Sequence, residues 1–373
     1  MKVLIAGDFC QKNRIYDIVK QKKYNTIFSS IRPLIESSEY SIVNFEFPII
    51  LDESVAKQIV KYGPNLRGTK EAIEAVKYAG FSCCTLANNH ILDQGAQCLL
   101  DTRHELESAG IDTVGAGSNL ADASRVLIRE INGERLSIVN VTEHEFSIAK
   151  ENLPGANPLD AVSLFYQIRY AKENADFVIV ITHGGSEHYQ LPSPRMQDLY
   201  RYCIDVGADA VINSHQHCFS GYEIYKNKPI VYGLGNLCFD NPIKQNDKWN
   251  EGYMVVLNTQ VLEKIEVIPY KQCSGSVGIE LLPPSSFDNK LEELNRIISD
   301  RVKLEEKFNE FSSQFYSIWD SNLQPYKTRL FNKLYRLGLL PSFINKKKWL
   351  FYKNSVECES QRDILIKLLN TKA

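Results

Sequence analysis

Residues 207–240 read GADAVINSHQHCFSGYEIYKNKPIVYGLGNLCFD, and at their centre His215 and His217 stand one residue apart. An apolar run, Ala210-Val211-Ile212, precedes them, and a small polar turn follows. Side chains at i and i+2 of a strand point to the same face. The pair is therefore expected on one face of a strand end, where two imidazoles can reach a single metal ion. Taken alone, an HxH also reads as two histidines of a surface loop. The chain holds only seven histidines, so the other five, and the residues around them, decide between the two.

Working outward, other apolar runs end in the same way. Val3-Leu4-Ile5-Ala6 leads into Gly7-Asp8, and Tyr40-Ser41-Ile42-Val43 into Asn44-Phe45-Glu46-Phe47-Pro48. Residues 81–86 lead into Asn88-Asn89-His90, and 177–181 into Thr182-His183-Gly184-Gly185. Open α/β folds gather their ligands at the carboxyl ends of strands. Asp8 reads either as a cation ligand at such an end or as a turn residue capping the next element. Helical patterns lie between the strands: 70–79 closed by Gly80, 97–108, 159–174 with a cap at Asn157 or Asp160, and 197–206. Asn132-Gly133 joins two β-branched runs, 125–130 and 136–141, and predicts a hairpin, so the sheets are expected to be mixed. Residues 253–257 and 261–269 are expected to pair as later strands.

Composition sets outer limits. Hydrophobic residues make up 44% and charged residues 24% of the 373 residues, with a net charge of −2. This is an ordinary globular balance, and no nucleic-acid partner is expected. Nine cysteines lie in apolar surroundings with no CxxC frame, and read as reduced thiols of a cytoplasmic protein. No apolar stretch has the length of a signal-peptide core or a membrane span.

The composition shifts after Pro283-Pro284, so 1–284 is expected as one domain and 285–373 as a helical extension. Between 327 and 353, Lys and Arg interleave with aromatic residues and no acidic residue occurs. Leu330, Leu334 and Leu337 recur there at helical core spacing. The segment reads either as a helical cap with a solvated basic face or as a peripheral contact with the anionic inner membrane surface.

Asp8, Glu46, Asn89, His90, His183, His215 and His217 together offer carboxylate, amide and imidazole at successive strand ends. That donor set suits one or two divalent transition metals. A shared carboxylate can hold two such ions about 3.5–4 Å apart.

The order of these motifs carries a resemblance. Asn44-Phe45-Glu46-Phe47-Pro48, Leu86-Ala87-Asn88-Asn89-His90 with Asp93 and Gly95, and Thr182-His183-Gly184-Gly185 with Glu187 come first. Gly207-Ala208-Asp209-Ala210-Val211 before His215-Gln216-His217, Tyr232-Gly233-Leu234-Gly235-Asn236, and Trp249-Asn250-Glu251-Gly252 follow. Over about residues 1–270 the chain resembles the bacterial capsule-synthesis CapA family, linked to capsule and poly-γ-glutamate production, within the calcineurin-like metallophosphatase superfamily. The resemblance implies an α/β fold, a four-layer α/β/β/α sandwich of two mixed sheets with helices outside.

It also implies roles. Glu46 is the bridging carboxylate. Asn89, His183 and His215 hold one metal, and Asp8 and His217 the other, with Mn, Fe or Zn as the candidate ions. His90 is the proton donor, oriented by Asp93. Asn44, Glu187, Arg195 and Asn236 are candidate substrate contacts. Arg195 reads either as a fork for phosphate or carboxylate or as a solvated loop arginine, and Asn236 also as a hydrogen-bond partner of a ligand side chain.

Two positions depart from the superfamily pattern. Cys10 stands where a histidine is usual, and Glu46 where an aspartate is usual. Cys10 reads either as a sulfur ligand for zinc or iron or as a buried thiol, and the thiol reading makes the metal near His217 the weaker of the two and leaves one or two ions open. The implied activity is that of a metal-dependent hydrolase acting on a phosphoester through a metal-activated water. The alternative is a non-catalytic binding or assembly subunit of an envelope-polymer machine. An acidic polymer, a phosphorylated or glycan-linked substrate and other envelope-polymer biosynthesis proteins are the partners expected.

Overall fold

Neighbouring residues of one strand enter different cores, and this parity builds the layers. In the computed structural model, which describes residues 1–61, 63–326, 328–357 and 369, Val3 and Ile5 enter one apolar cluster while Leu4 and Ala6 enter another. Ile42 and Val43 divide in the same way, as do Cys83 and Cys84. On the other sheet Ile179 and Ile181 face the first of these clusters, and Val178 and Val180 face a third. The chain thus forms two sheets with a shared apolar interior and a further core on each outer side, filled by helices.

The strands of the first sheet are β1 (Lys2–Cys10), β2 (Tyr40–Phe45), β3 (Cys83–Thr85) and β4 (Asp112–Val114). A short pair, β5 (Ala116–Gly117) and β8 (Gly155–Ala156), stands apart. The second sheet takes β6 (Leu127–Ile131), β7 (Glu134–Thr142), β9 (Phe177–His183), β10 (Ala210–Ser214), β11 (Tyr222–Tyr225) and β12 (Lys228–Val231). The chain then returns to the first sheet with β13 (Asn236–Phe239), β14 (Glu251–Asn258), β15 (Ile265–Gln272) and β16 (Ile279–Leu281).

The first sheet runs β16-β15-β14-β1-β2-β3-β4, with β13 also on β1, and the second β11-β12-β10-β9-β7-β6. β1 to β4 are mutually parallel, as are β7, β9, β10 and β12. Parallel strands place their carboxyl ends along one rim, so both sheets present that rim to the same place.

The helix Glu71–Ala79 ends on Gly80, whose φ of 93° is the left-handed stop expected there. Asp160 caps Ala161–Asn174 by accepting from Ser163 N. The Asn132-Gly133 hairpin is present, with φ of 51° and 83°, the twist a two-residue turn needs.

The composition break at Pro283-Pro284 falls inside the first compact unit, Met1–Glu305; the second is Glu306–Ala373. The helix Asp288–Ser299 belongs to the first unit because Leu291 and Ile298 are buried in its cores. In the second unit, the helix Arg329–Arg336 exposes Leu330 by 64%, and Leu337 just beyond it by 63%. Core spacing in that segment therefore does not translate into burial of these two side chains. No helix among the described residues is long and apolar enough to cross a membrane.

Candidate metal centre

The rim shared by the two sheets collects most of the residues singled out above. Asp8 sits at the end of β1, where the register with β2 slips between Ala6 and Asp8 and with β13 between Asp8 and Phe9. Such a bulge re-aims one side chain without ending the strand. Gly7 permits it, because a Cβ there would lie 1.8 Å from the carbonyl oxygen of Gly235. Glu46 follows β2, Asn89 and His90 follow β3, and His183 closes β9.

His215 and His217 are placed differently from the strand-parity expectation. β10 stops at Ser214, and the two histidines follow with φ of 96° and 55°. Left-handed backbone is uncommon outside glycine and costs on the order of 1–3 kcal/mol per residue, so it persists where the surroundings fix it. The loop, and not the pleat, brings both rings to the rim.

One ligand atom from each of Glu46, His183 and His215 lies within 4.8 Å of the others, and the same holds for Asp8, Glu46 and His217. Glu46 belongs to both sets. His183 Nε2 is 3.1 Å from Asn89 Oδ1, 3.1 Å from His215 Nδ1 and 3.7 Å from Glu46 Oε1. Cys10 is buried and belongs to neither set.

The surroundings prepare these atoms for a cation. Asn236 Nδ2 donates to the carbonyls of His217 and Trp249, which fixes its Oδ1 toward His217 Nδ1 at 2.9 Å. An amide oxygen only accepts, so Nδ1 carries the hydrogen and Nε2 keeps its lone pair. The His217 ring is further held by Trp249 and Phe239, with centroids at 4.7 and 5.1 Å. Ser214 Oγ stands 3.1 Å from His183 Nδ1 and can accept its proton, leaving Nε2 free. Asp8 Oδ1 accepts from Asn44 Nδ2 at 2.7 Å, and Oδ2 from the backbone N of His215 at 3.2 Å.

Electrostatics test whether a divalent ion fits. Glu46 is fully buried, and neither of its oxygens has a hydrogen-bond partner among the described residues. Burial, and next the Asp8 carboxylate, push its carboxyl well above the usual range. Burial likewise raises Asp8 against its hydrogen bonds. Burial, then the neighbouring imidazoles, holds His183 and His217 well below the usual histidine range, so both are neutral donors of a lone pair. Two buried carboxylates facing neutral imidazoles lack a positive charge, and a divalent cation supplies it. The residues fit the group.

His90 lies next to this cluster. Its Nδ1 is 2.6 Å from Asp93 Oδ2, the partner expected for it. Burial lowers its pKa, opposed by Asp93.

The candidate substrate contacts separate. Asn44 is buried and holds Asp8 through a hydrogen bond from Nδ2 to Oδ1, with that nitrogen 3.3 Å from His183 Nδ1. Asn236 holds His217 through its Oδ1. Arg195 is on the helix Pro194–Asp205 and pairs with Glu143, whose Oε2 also accepts from Gly185 N at 2.9 Å. Glu187 is about half exposed and lies 3.9 Å from His188 Nε2. Ser214, Glu143 and Lys61 join the site from outside the strand-end motifs. Only Ser214, between a strand and a histidine, carries a local signal.

The chain is a two-sheet α/β protein whose buried carboxylates and imidazoles, gathered on one rim, could hold a metal ion. Residues 2–241 match the family described as Bacterial capsule synthesis protein PGA_cap, and the chain belongs to that family. The Capsule biosynthesis protein CapA of Bacillus anthracis is 33% identical over 246 residues, covering 64% of this chain and 60% of the relative. The PGA biosynthesis protein CapA of Bacillus subtilis (strain 168) is 33% identical over 238 residues, covering 63% and 62%. A Probable polyglutamine synthesis accessory protein of Mycobacterium tuberculosis is 36% identical over 170 residues, covering 42% and 45%. The chain thus spans about 60% of the length of the two Bacillus relatives.

Proposed function

We propose that this protein is a metal-dependent hydrolase of capsule or poly-γ-glutamate biosynthesis, acting on a phosphoester. One observation carries the reading: Glu46, buried with no hydrogen-bond partner among the described residues, is shared by two ligand sets. Asn89, His183 and His215 would hold one ion and Asp8 and His217 the other. Bound there, divalent ions acidify a water and neutralise charge on a phosphoryl oxygen. His90 stands beside the cluster as the donor of a proton to the leaving oxygen, and Asp93 orients its ring. Asn44 and Asn236 keep the ligand side chains aimed.

The test is elemental analysis of purified protein, then a panel of phosphomonoesters and diesters assayed with the metal found. His90→Ala should remove turnover and leave metal content nearly unchanged. Full activity in that variant sinks the assignment.

A second reading is a binding or assembly subunit of an envelope-polymer machine. It is favoured by the family description, which names a pathway and no reaction, and by the name of the mycobacterial relative, an accessory protein. Metal-loaded protein that binds poly-γ-glutamate and hydrolyses no ester or amide would support it. A cytoplasmic protein touching the membrane through its C-terminal segment agrees with the exposed Leu330, Phe331 and Leu337 among basic residues. Anionic vesicles should then sediment the protein at low salt, and failure to do so removes this part of the reading.

A further inference from the structure

Lys61 lies in the stretch between β2 and the helix Glu71–Ala79. Its side chain is 1% exposed and pairs with Asp93, which is fully buried. The stretch is laced to the turn after His90 on both sides of Lys61. Lys57 N donates to Gln94 O at 2.9 Å, Ile59 N to Asp93 O at 3.2 Å, and Gln94 Nε2 to Leu66 O at 2.9 Å. A buried lysine has to be paired, and this one is paired with the residue that orients His90.

His90 Nδ1 has two neighbours with opposite demands. Asp93 Oδ2 stands 2.6 Å away and Lys61 Nζ 3.1 Å away. If Nδ1 carries its hydrogen, it donates to Asp93 and offers nothing to the ammonium. If Nδ1 is bare, it accepts from Lys61 but faces a carboxylate oxygen lone pair to lone pair. Asp93 Oδ2 already accepts from Leu66 N at 2.6 Å, and Lys61 engages the carboxylate too. Those contacts make the Asp93 carboxylate an acceptor, and an acceptor 2.6 Å from Nδ1 selects the hydrogen on Nδ1. Nε2 is then the free ring nitrogen.

We propose that Lys61 is a positioning residue: through Asp93 it fixes the tautomer and orientation of the His90 ring. This deepens the hydrolase reading and rests on it for its catalytic meaning. The arrangement itself is a statement about hydrogen positions and can be examined without metal or substrate.

The experiment uses the 373-residue chain, metal-free and with 15N-labelled histidine, and reads the ring nitrogens of His90 by two-bond proton–nitrogen correlation. Wild type should show a protonated Nδ1 and a bare Nε2. Lys61→Met should replace that single pattern by a mixture of tautomers, and Lys61→Arg should keep it. A Lys61→Met protein that melts earlier but retains the wild-type pattern shows a mere tie for the stretch, and the proposal fails. A bare Nδ1 in wild type overturns it as well, with no variant needed, which covers the case in which Lys61→Met does not fold.

Turnover of bis(p-nitrophenyl) phosphate with Mn²⁺ is read in parallel. Absence of turnover in wild type counts against the hydrolase reading, while the ring spectra still decide the role of Lys61. Where wild type turns over, Lys61→Met should lower kcat by about tenfold or more at nearly constant KM. A change in KM alone contradicts positioning of a proton donor.

Discussion

Replacing Glu46 by glutamine should stabilise the metal-free protein and weaken its response to metal. The wild-type carboxyl is fully buried beside Asp8, with no hydrogen-bond partner among the described residues. Its folded pKa is raised, so the folded state binds the proton more tightly than the unfolded state does. As pH rises above the unfolded value of about 4.3, the unfolded chain releases its proton first. Stability then falls by up to about 1.4 kcal/mol per pH unit until the folded carboxyl also ionises. Glutamine removes that slope. Its amide, left without partners, costs about 1–3 kcal/mol, less than the several kcal/mol of an unpaired buried charge.

Metal reverses the order. An ion present at about a thousand times its Kd adds about 4 kcal/mol to the wild type. For the unit Met1–Glu305, an unfolding entropy of about 0.64 kcal/mol/K turns this into a rise in Tm of about 6 °C. The glutamine variant, without the shared carboxylate, should rise by less than about 2 °C. Scanning calorimetry from pH 5 to 8, in chelator and in Mn²⁺, reads both quantities. The reasoning is refuted if the variant melts below wild type in chelator at pH 8, or if metal raises the two equally.

Three further outcomes follow from local structure. Asn236→Leu removes the acceptor that holds the His217 proton, and metal affinity measured by calorimetric titration should fall by about 10–100-fold. Eight of the nine cysteines are described, free and buried, and burial pushes Cys203 and Cys218 up to about 12. Native protein should therefore release no more than one thiol quickly to Ellman's reagent, and unfolded protein all nine. Burial alone would raise Glu71, but hydrogen bonds from Lys20 and Thr69 outweigh it and bring the carboxyl down to about 2. Its contribution is present above about pH 4.3 and lost as pH falls toward 2. Urea midpoints at pH 5 and pH 2.5 should show Glu71→Gln losing less than wild type, by under about 1 kcal/mol for so exposed a pair.

The strands that carry the site were legible because each is a short apolar run stopped by glycine, proline or a polar residue. The layering is written in the parity of residues such as Val3 and Leu4. Parity failed at His215 and His217 because it holds only while a strand continues, and β10 ends one residue before them. A left-handed backbone at a histidine leaves no mark in composition. Lys61 was unreadable for a related reason: it lies in an aperiodic excursion, and its partner is fixed only by the folded path. Arg195 looked free because Glu143 lies far from it in the chain and reaches it only once β7 and the helix Pro194–Asp205 are in place. Nothing in the sequence around Asn44 marks Asp8, 36 positions away, as the acceptor its amide holds in the folded chain.

The division of ligands between the two sheets also sets a timetable. Asp8 and Glu46 leave the ribosome before His183, His215 and His217, which follow more than a hundred residues later. The Asp8 carboxylate and the His215 amide it accepts from are 207 positions apart. Elongation at about 5–20 residues per second leaves the acidic half waiting on the order of ten seconds or more for its imidazoles. A nascent chain stalled before residue 183 should hold carboxylates without a centre. On the proposed ligand sets an ion could enter only after residue 217 has been made, so metal capture would report synthesis of both sheets' contributions to the site.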